Sequence, residues 1–149
     1  MEAVFCGVMT VLPKSITNWQ DQFWLGFGSN FRRAYTEPPR WDQDPWYINY
    51  IGHPIHGANL FNSLRSQRCT FPQAAAFNLV HTLIWEYGIE ALMEPPSIQD
   101  LITTPLAGIA LGELFHYLTR RMGRGGFSTA EKVAVTLINP FYVINNGYK

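Results

Sequence analysis

A chain of 149 residues with 47% hydrophobic content is long enough to bury a core and too apolar to remain disordered. Its formal net charge is zero and its 11 basic residues form no dense patch, which argues against a nucleic-acid partner. Charged residues and aromatics each make up 15%, the balance of a chain that sits against a membrane or a large partner, or equally of a small aromatic-cored soluble domain, and the two cysteines, Cys6 and Cys69, make no CxxC pair for a zinc site.

Met1 to Leu12 is apolar but short and lacks the basic opening of a secretory signal. Residues 1–16 are therefore expected to be membrane-proximal or the end of a longer leading segment. A first helix is predicted from Thr17 to Tyr35, with Trp19, Phe23, Phe27, Phe31 and Tyr35 at four-residue spacing as an aromatic edge toward a partner. Pro38-Pro39 then forces an extended connector. The second helix is expected to open at Asp44-Pro45 and to run to Arg65, with a kink at Pro54. The third starts at the capping box Thr70-Phe71-Pro72-Gln73 and ends before Pro95-Pro96. The fourth starts at Ser97, is kinked by Pro105, and closes on Arg120, Arg121 and Gly123. A fifth runs from Ser128-Thr-Ala-Glu131 to Ile138, and the remainder after Asn139-Pro140 reads as extended. The expected fold is all-α: one domain over residues 1–149, a compact bundle of about five helices.

The third and fourth helices carry the chemistry. Asn78, Thr82, Glu86, Glu90 and Glu94 recur every four residues, each step drifting only about 40° around the axis. They make a polar seam in a helix that is otherwise apolar, with His81 beside it. A solvated face gives the same period, but the apolar sector is wider than one core stripe needs and the seam contains no lysine. An inward seam needs polar partners. The second helix offers Asn49, His53 and His56 on one face, and the fourth offers Glu113 and His116 three residues apart. Asp100 lies in a first turn, where it suits a cap, and Arg65 or Arg120 can supply counter-charge. Gly108 and Gly112 form a GxxxG spacing that permits close helix approach.

The run from Asp44 through Asn49, His53 and His56 to Ala58, then Trp85-Glu86 to Glu90, then Glu94 to Gly108 and Gly112-Glu113, resembles a bacterial family, domain of unknown function 3943. The likeness covers about residues 41 to 116, within a family-like core of about 41–120. It implies an exported, cell-envelope protein and supplies no activity.

Three functional readings stand side by side. The first is a non-catalytic envelope module, docked on a membrane or an envelope protein, able to self-associate, and locked by a buried polar network with Asn49, His56, His81, Asp100 and Arg65 as binding residues. The second is a metal-dependent hydrolase. Here Glu113-x-x-His116 has the spacing that puts carboxylate and imidazole on one divalent metal. The third is a metal-free enzyme acting on a lipid or envelope substrate, with Glu86, Glu90 and His53 as acid/base groups. The motivating expectation common to all three is convergence of these residues into one internal cluster.

Overall fold

The computed structural model describes residues 23–149 except Asp42, with side chains from Gly28 onward. The Met1–Leu12 segment, Cys6, Trp19 and the side chains of Phe23 and Phe27 lie outside the described residues. Among those described, the fold is all-α with six α-helices: α1 Phe23–Thr36, α2 His53–Arg65, α3 Phe71–Ile84, α4 Ile98–Met122, α5 Thr129–Ile138 and α6 Pro140–Asn146. Two π-turns, Ile48–Gly52 and Trp85–Ile89, and a 3-10 turn, Glu90–Leu92, extend α2 and α3.

The local signals explain most boundaries. At the start of α3 the Thr70–Gln73 capping box is closed in both directions, and at α5 the Ser128–Glu131 box is closed likewise. Ser Oγ of residue 97 accepts the Asp100 N–H at 3.2 Å and opens α4. Pro54 would drive its ring against the carbonyl four residues back in a regular helix. The chain meets this with the wider turn just before it, where the His53 N–H bonds the Ile48 carbonyl. Pro105, by contrast, sits inside an unbroken α4.

The C-terminal residues correct the expectation of an extended tail. Asn139-Pro140 ends one helix and begins another, because the Asn139 side chain accepts the Tyr142 N–H at 3.2 Å and Pro140 occupies the first turn of α6. The aromatic edge of α1 also falls differently. Phe31 and Tyr35 are exposed, while Ala34 is the buried position. Tyr35 instead donates its hydroxyl to the Tyr87 carbonyl at 2.8 Å, and Asn30 donates to the Met93 carbonyl at 2.8 Å. These bonds fix α1 to the end of the third helical segment.

Three helices make the centre. α2 and α4 run side by side in the same direction, matched in order by His53 with Thr104, Asn62 with the Gly112 carbonyl, and Arg65 with Glu113. Against both of them α3 runs the opposite way. Its start packs Phe71 on Phe61, with ring centroids 5.5 Å apart, and its middle donates Asn78 Nδ2 to the Gly57 carbonyl at 2.7 Å. The glycines allow this contact. A Cβ on Gly57 would stand 2.1 Å from the Thr104 carbonyl oxygen, and one on Gly108 would stand 2.6 Å from the Gly57 Cα. No side chain heavier than hydrogen fits there.

The interior is unusually polar. Among the largest fully buried side chains, Phe61, Val135 and Pro96 are apolar, whereas Glu86, Asn49, Asn62, Asn78, Asn139, Thr82 and Thr119 are not. The seam predicted on the third helix faces inward at Asn78, Thr82, Glu86 and Glu90, which are all buried, while its last member, Glu94, lies past the helical turn and is half-buried.

Candidate functional site

At one end of the bundle three chain segments bring ionisable groups together. His53 is the first residue of α2, Glu86 stands in the π-turn after α3, and Asp100 lies in the first turn of α4. One ligand-type atom from each lies within 4.8 Å of the other two. Glu86 and Asp100 are buried, and His53 is nearly so.

Each group is held by a neighbour. The His53 Nδ1 is 3.0 Å from the Thr104 hydroxyl, which sets the ring plane and points Nε2 toward Asp100 Oδ1, 3.6 Å away. Glu86 Oε2 accepts the Ser97 N–H at 2.9 Å. The hydroxyl of the same Ser97 accepts the Asp100 N–H, so one residue holds the Glu86 carboxylate and the backbone that carries Asp100. Its placement follows from the Arg40 connector, whose carbonyl accepts the Ile98 N–H at 2.9 Å and whose N–H donates to the Pro96 carbonyl at 2.9 Å.

The remaining sequence candidates surround this point or lie away from it. Glu90 is buried next to the cluster and accepts the Trp85 indole N–H at 2.6 Å. Asn49 is buried in the π-turn that leads into His53. His56 and His81 meet across α2 and α3, with ring centroids 6.2 Å apart, and His56 also packs 5.8 Å from Trp85.

The other named residues occupy the far end. Arg65 holds both oxygens of Glu113 at 2.9 Å and donates to the Cys69 carbonyl. Arg65 lies twelve positions after His53 on α2, about 18 Å along the axis. Glu113 and His116 are thus not joined to His53, Glu86 and Asp100. His116 is buried on α4, and Arg120 is exposed. The structure divides the expected cluster in two: a carboxylate–imidazole set at one end and an arginine–glutamate pair at the other.

Sequence reasoning passed over several participants. Thr104 was readable, being one turn after Asp100 and so on the same face of α4. A second polar knot was not. Asn62 Nδ2 donates to the Gly112 carbonyl at 3.0 Å, and Asn139 Nδ2 donates to Thr119 Oγ1 at 3.2 Å and reaches Asn62 Oδ1 at 3.5 Å. The knot ties the α5–α6 junction to the bundle, and no local spacing announces it.

Chemically, the His53–Glu86–Asp100 set offers an imidazole oriented by a hydroxyl, two carboxylates, and a largely dry surround. Such a set can hold a cation or move a proton. Residues 38–141 match the family model described as domain of unknown function (DUF3943). No curated protein and no solved structure matches the chain at a significant level.

Proposed function

The chain belongs to the DUF3943 family, and we propose that it works as a membrane-embedded helical module that carries a polar site inside the hydrocarbon layer. The observation behind this reading is an inversion of burial. Along α3, Asn78 and Thr82 are 0% and 2% exposed, while Leu79, Val80, Leu83 and Ile84 are 44–55% exposed. α4 repeats the pattern, with Thr104, His116 and Thr119 buried and Ile102, Leu106, Leu114 and Tyr117 exposed. In water such an arrangement forfeits the main driving force of folding, about 25 cal/mol per Å² of apolar surface left wet. In a bilayer it is the stable arrangement, because lipid tails cover the apolar exterior and polar groups must be satisfied within the protein.

Dimensions support the same environment. Residues 71–92 and the 25 residues of α4 rise about 33 Å and about 37 Å, against roughly 30 Å of hydrocarbon. Ile98–Gly125 is long and apolar enough to cross a membrane, and only 28% of its most apolar window is buried. A core helix of a water-soluble protein passes the same length test but is mostly buried, which this one is not.

The test is direct. The expressed full chain is expected in the membrane fraction, resistant to alkaline carbonate, and released by detergent. A monodisperse monomer in plain buffer that ignores lipid vesicles refutes the proposal.

A further inference from the structure

We propose that His53, Glu86 and Asp100 bind one first-row divalent transition-metal ion. The inference goes beyond the membrane reading and does not depend on it. It starts from the chemistry of three buried groups. Two carboxylates whose oxygens lie within 4.8 Å of each other repel when both are ionised, and burial removes the water that would screen them. A dication between them converts that repulsion into attraction.

The distances favour an ion over a simple hydrogen-bonded dyad. A charge-assisted imidazole–carboxylate hydrogen bond closes to about 2.7–2.9 Å. His53 Nε2 and Asp100 Oδ1 stand 3.6 Å apart, although both are held by fixed elements. Donor atoms bonded to one tetrahedral metal at about 2.0–2.2 Å are separated by roughly 3.3–3.6 Å, which that gap meets. That separation exceeds the bond length and suits two donors on one metal, with a Glu86 carboxylate oxygen within 4.8 Å of both residues' donor atoms.

The surroundings have the form of a supporting shell. A metal-bound imidazole is oriented by a partner on its other nitrogen. Thr104 stands 3.0 Å from His53 Nδ1 and leaves Nε2 facing the carboxylates. Ser97 fixes Glu86 through its N–H and the Asp100 backbone through its hydroxyl. The donor set selects the metal class. One imidazole with two carboxylates suits zinc, manganese, iron(II) or cobalt, whereas calcium and magnesium favour all-oxygen sets. Three protein ligands leave at least one coordination position for water or another small ligand.

The experiment uses the full chain in whatever medium keeps it folded, stripped with chelator and titrated with Zn²⁺ and with Co²⁺. Saturable binding of one ion per chain is expected, with a Co²⁺ ligand-field spectrum of low coordination number. The near-isosteric variants Glu86→Gln and Asp100→Asn should each weaken binding at least tenfold. Thr104→Val, which touches no metal, should weaken it about 10–100-fold. Circular dichroism of each variant reports folding independently. The proposal is overturned if the folded wild-type chain takes up no ion. It is equally overturned if Glu113→Gln or His116→Ala abolishes binding while folded Asp100→Asn retains it, because the ion then sits at the other end. Metal binding by a chain that proves soluble leaves this site standing and removes the membrane reading alone.

Discussion

Replacing Gly108 by alanine adds one methyl group at the closest approach of two backbones. The new Cβ would stand 2.6 Å from Gly57 Cα, 2.8 Å from Gly57 C and 3.1 Å from Ala58 N, where ordinary contact begins near 3.4 Å. These atoms are backbone, so no rotamer change relieves the clash, and α2 and α4 must separate by about 1 Å. Overpacking of this kind costs about 1–3 kcal/mol. Alanine recovers up to about 1 kcal/mol of helix propensity, but separation also stretches bonds that cross the interface, such as Asn62 to the Gly112 carbonyl at 3.0 Å. A hydrogen bond lost there costs about 0.5–1.5 kcal/mol more. The net expectation is a loss of about 1–3 kcal/mol. Gly88→Ala is the matched control, because its Cβ would meet only Ile84 Cγ2 at 3.9 Å. That variant should be neutral or gain about 0.5–1 kcal/mol. Thermal unfolding of both in one detergent decides the matter. If Gly108→Ala melts with the wild type, the helices do not approach as described.

Three further outcomes can be checked. Asn78→Leu removes the donor to the Gly57 carbonyl and should destabilise by about 1–3 kcal/mol although it makes the chain more apolar; an unchanged unfolding midpoint counts against that bond. A double-mutant cycle on Arg65 and Glu113 should give a coupling of about 1–2 kcal/mol, between the values of exposed and fully buried pairs; zero coupling refutes the pairing. On the proposed membrane reading, the four exposed arginines at the Arg65 end (Arg68, Arg120, Arg121 and Arg124) outnumber Arg32 and Arg40 toward the Glu86 end, so the Arg65 end should face the cytoplasm. A cysteine at Arg124, in a chain whose Cys6 and Cys69 are serine, should be labelled from the cytoplasmic side only, and labelling from the opposite side reverses the orientation.

What the sequence disclosed was local or periodic. The Thr70–Gln73 and Ser128–Glu131 boxes are four residues long and close without help from the rest of the fold. The seam on α3 repeats every turn, so its inward orientation could be argued from one helix. Asn139-Pro140 was ambiguous in kind, since an asparagine before a proline both stops a helix and starts one, and only the Tyr142 N–H bond chooses. The π-turn before Pro54 reflects crowding that has no signature in residue type. Register between helices was the largest gap. Glu113 and His116 share a face of α4, but which turn of α2 they meet depends on the depth at which the helices lock, and that depth places Arg65 there and His53 elsewhere.

The glycine contact sets that depth, and so it also builds the site. His53 lies four residues before Gly57, and Thr104 lies four before Gly108. In a parallel pair locked at the two glycines, one turn back along both helices brings His53 to Thr104, at 3.0 Å. One turn forward brings Phe61 against Gly112, and Arg65, a further turn along α2, reaches back to Glu113, the residue after Gly112. Apolar surface gives no drive for helices to associate within lipid, so close packing and interhelical polar bonds must hold such a bundle together. The consequence is a coupling that a purely structural glycine would not show. Gly108→Ala, by widening the interface about 1 Å, should lengthen the His53–Thr104 contact one turn away and weaken metal binding at His53, Glu86 and Asp100. Gly88→Ala, close in sequence to Glu86 but outside the α2–α4 interface, should leave affinity unchanged. Equal affinity in the two folded variants, measured by the same Co²⁺ titration, means that the glycines and the site are independent.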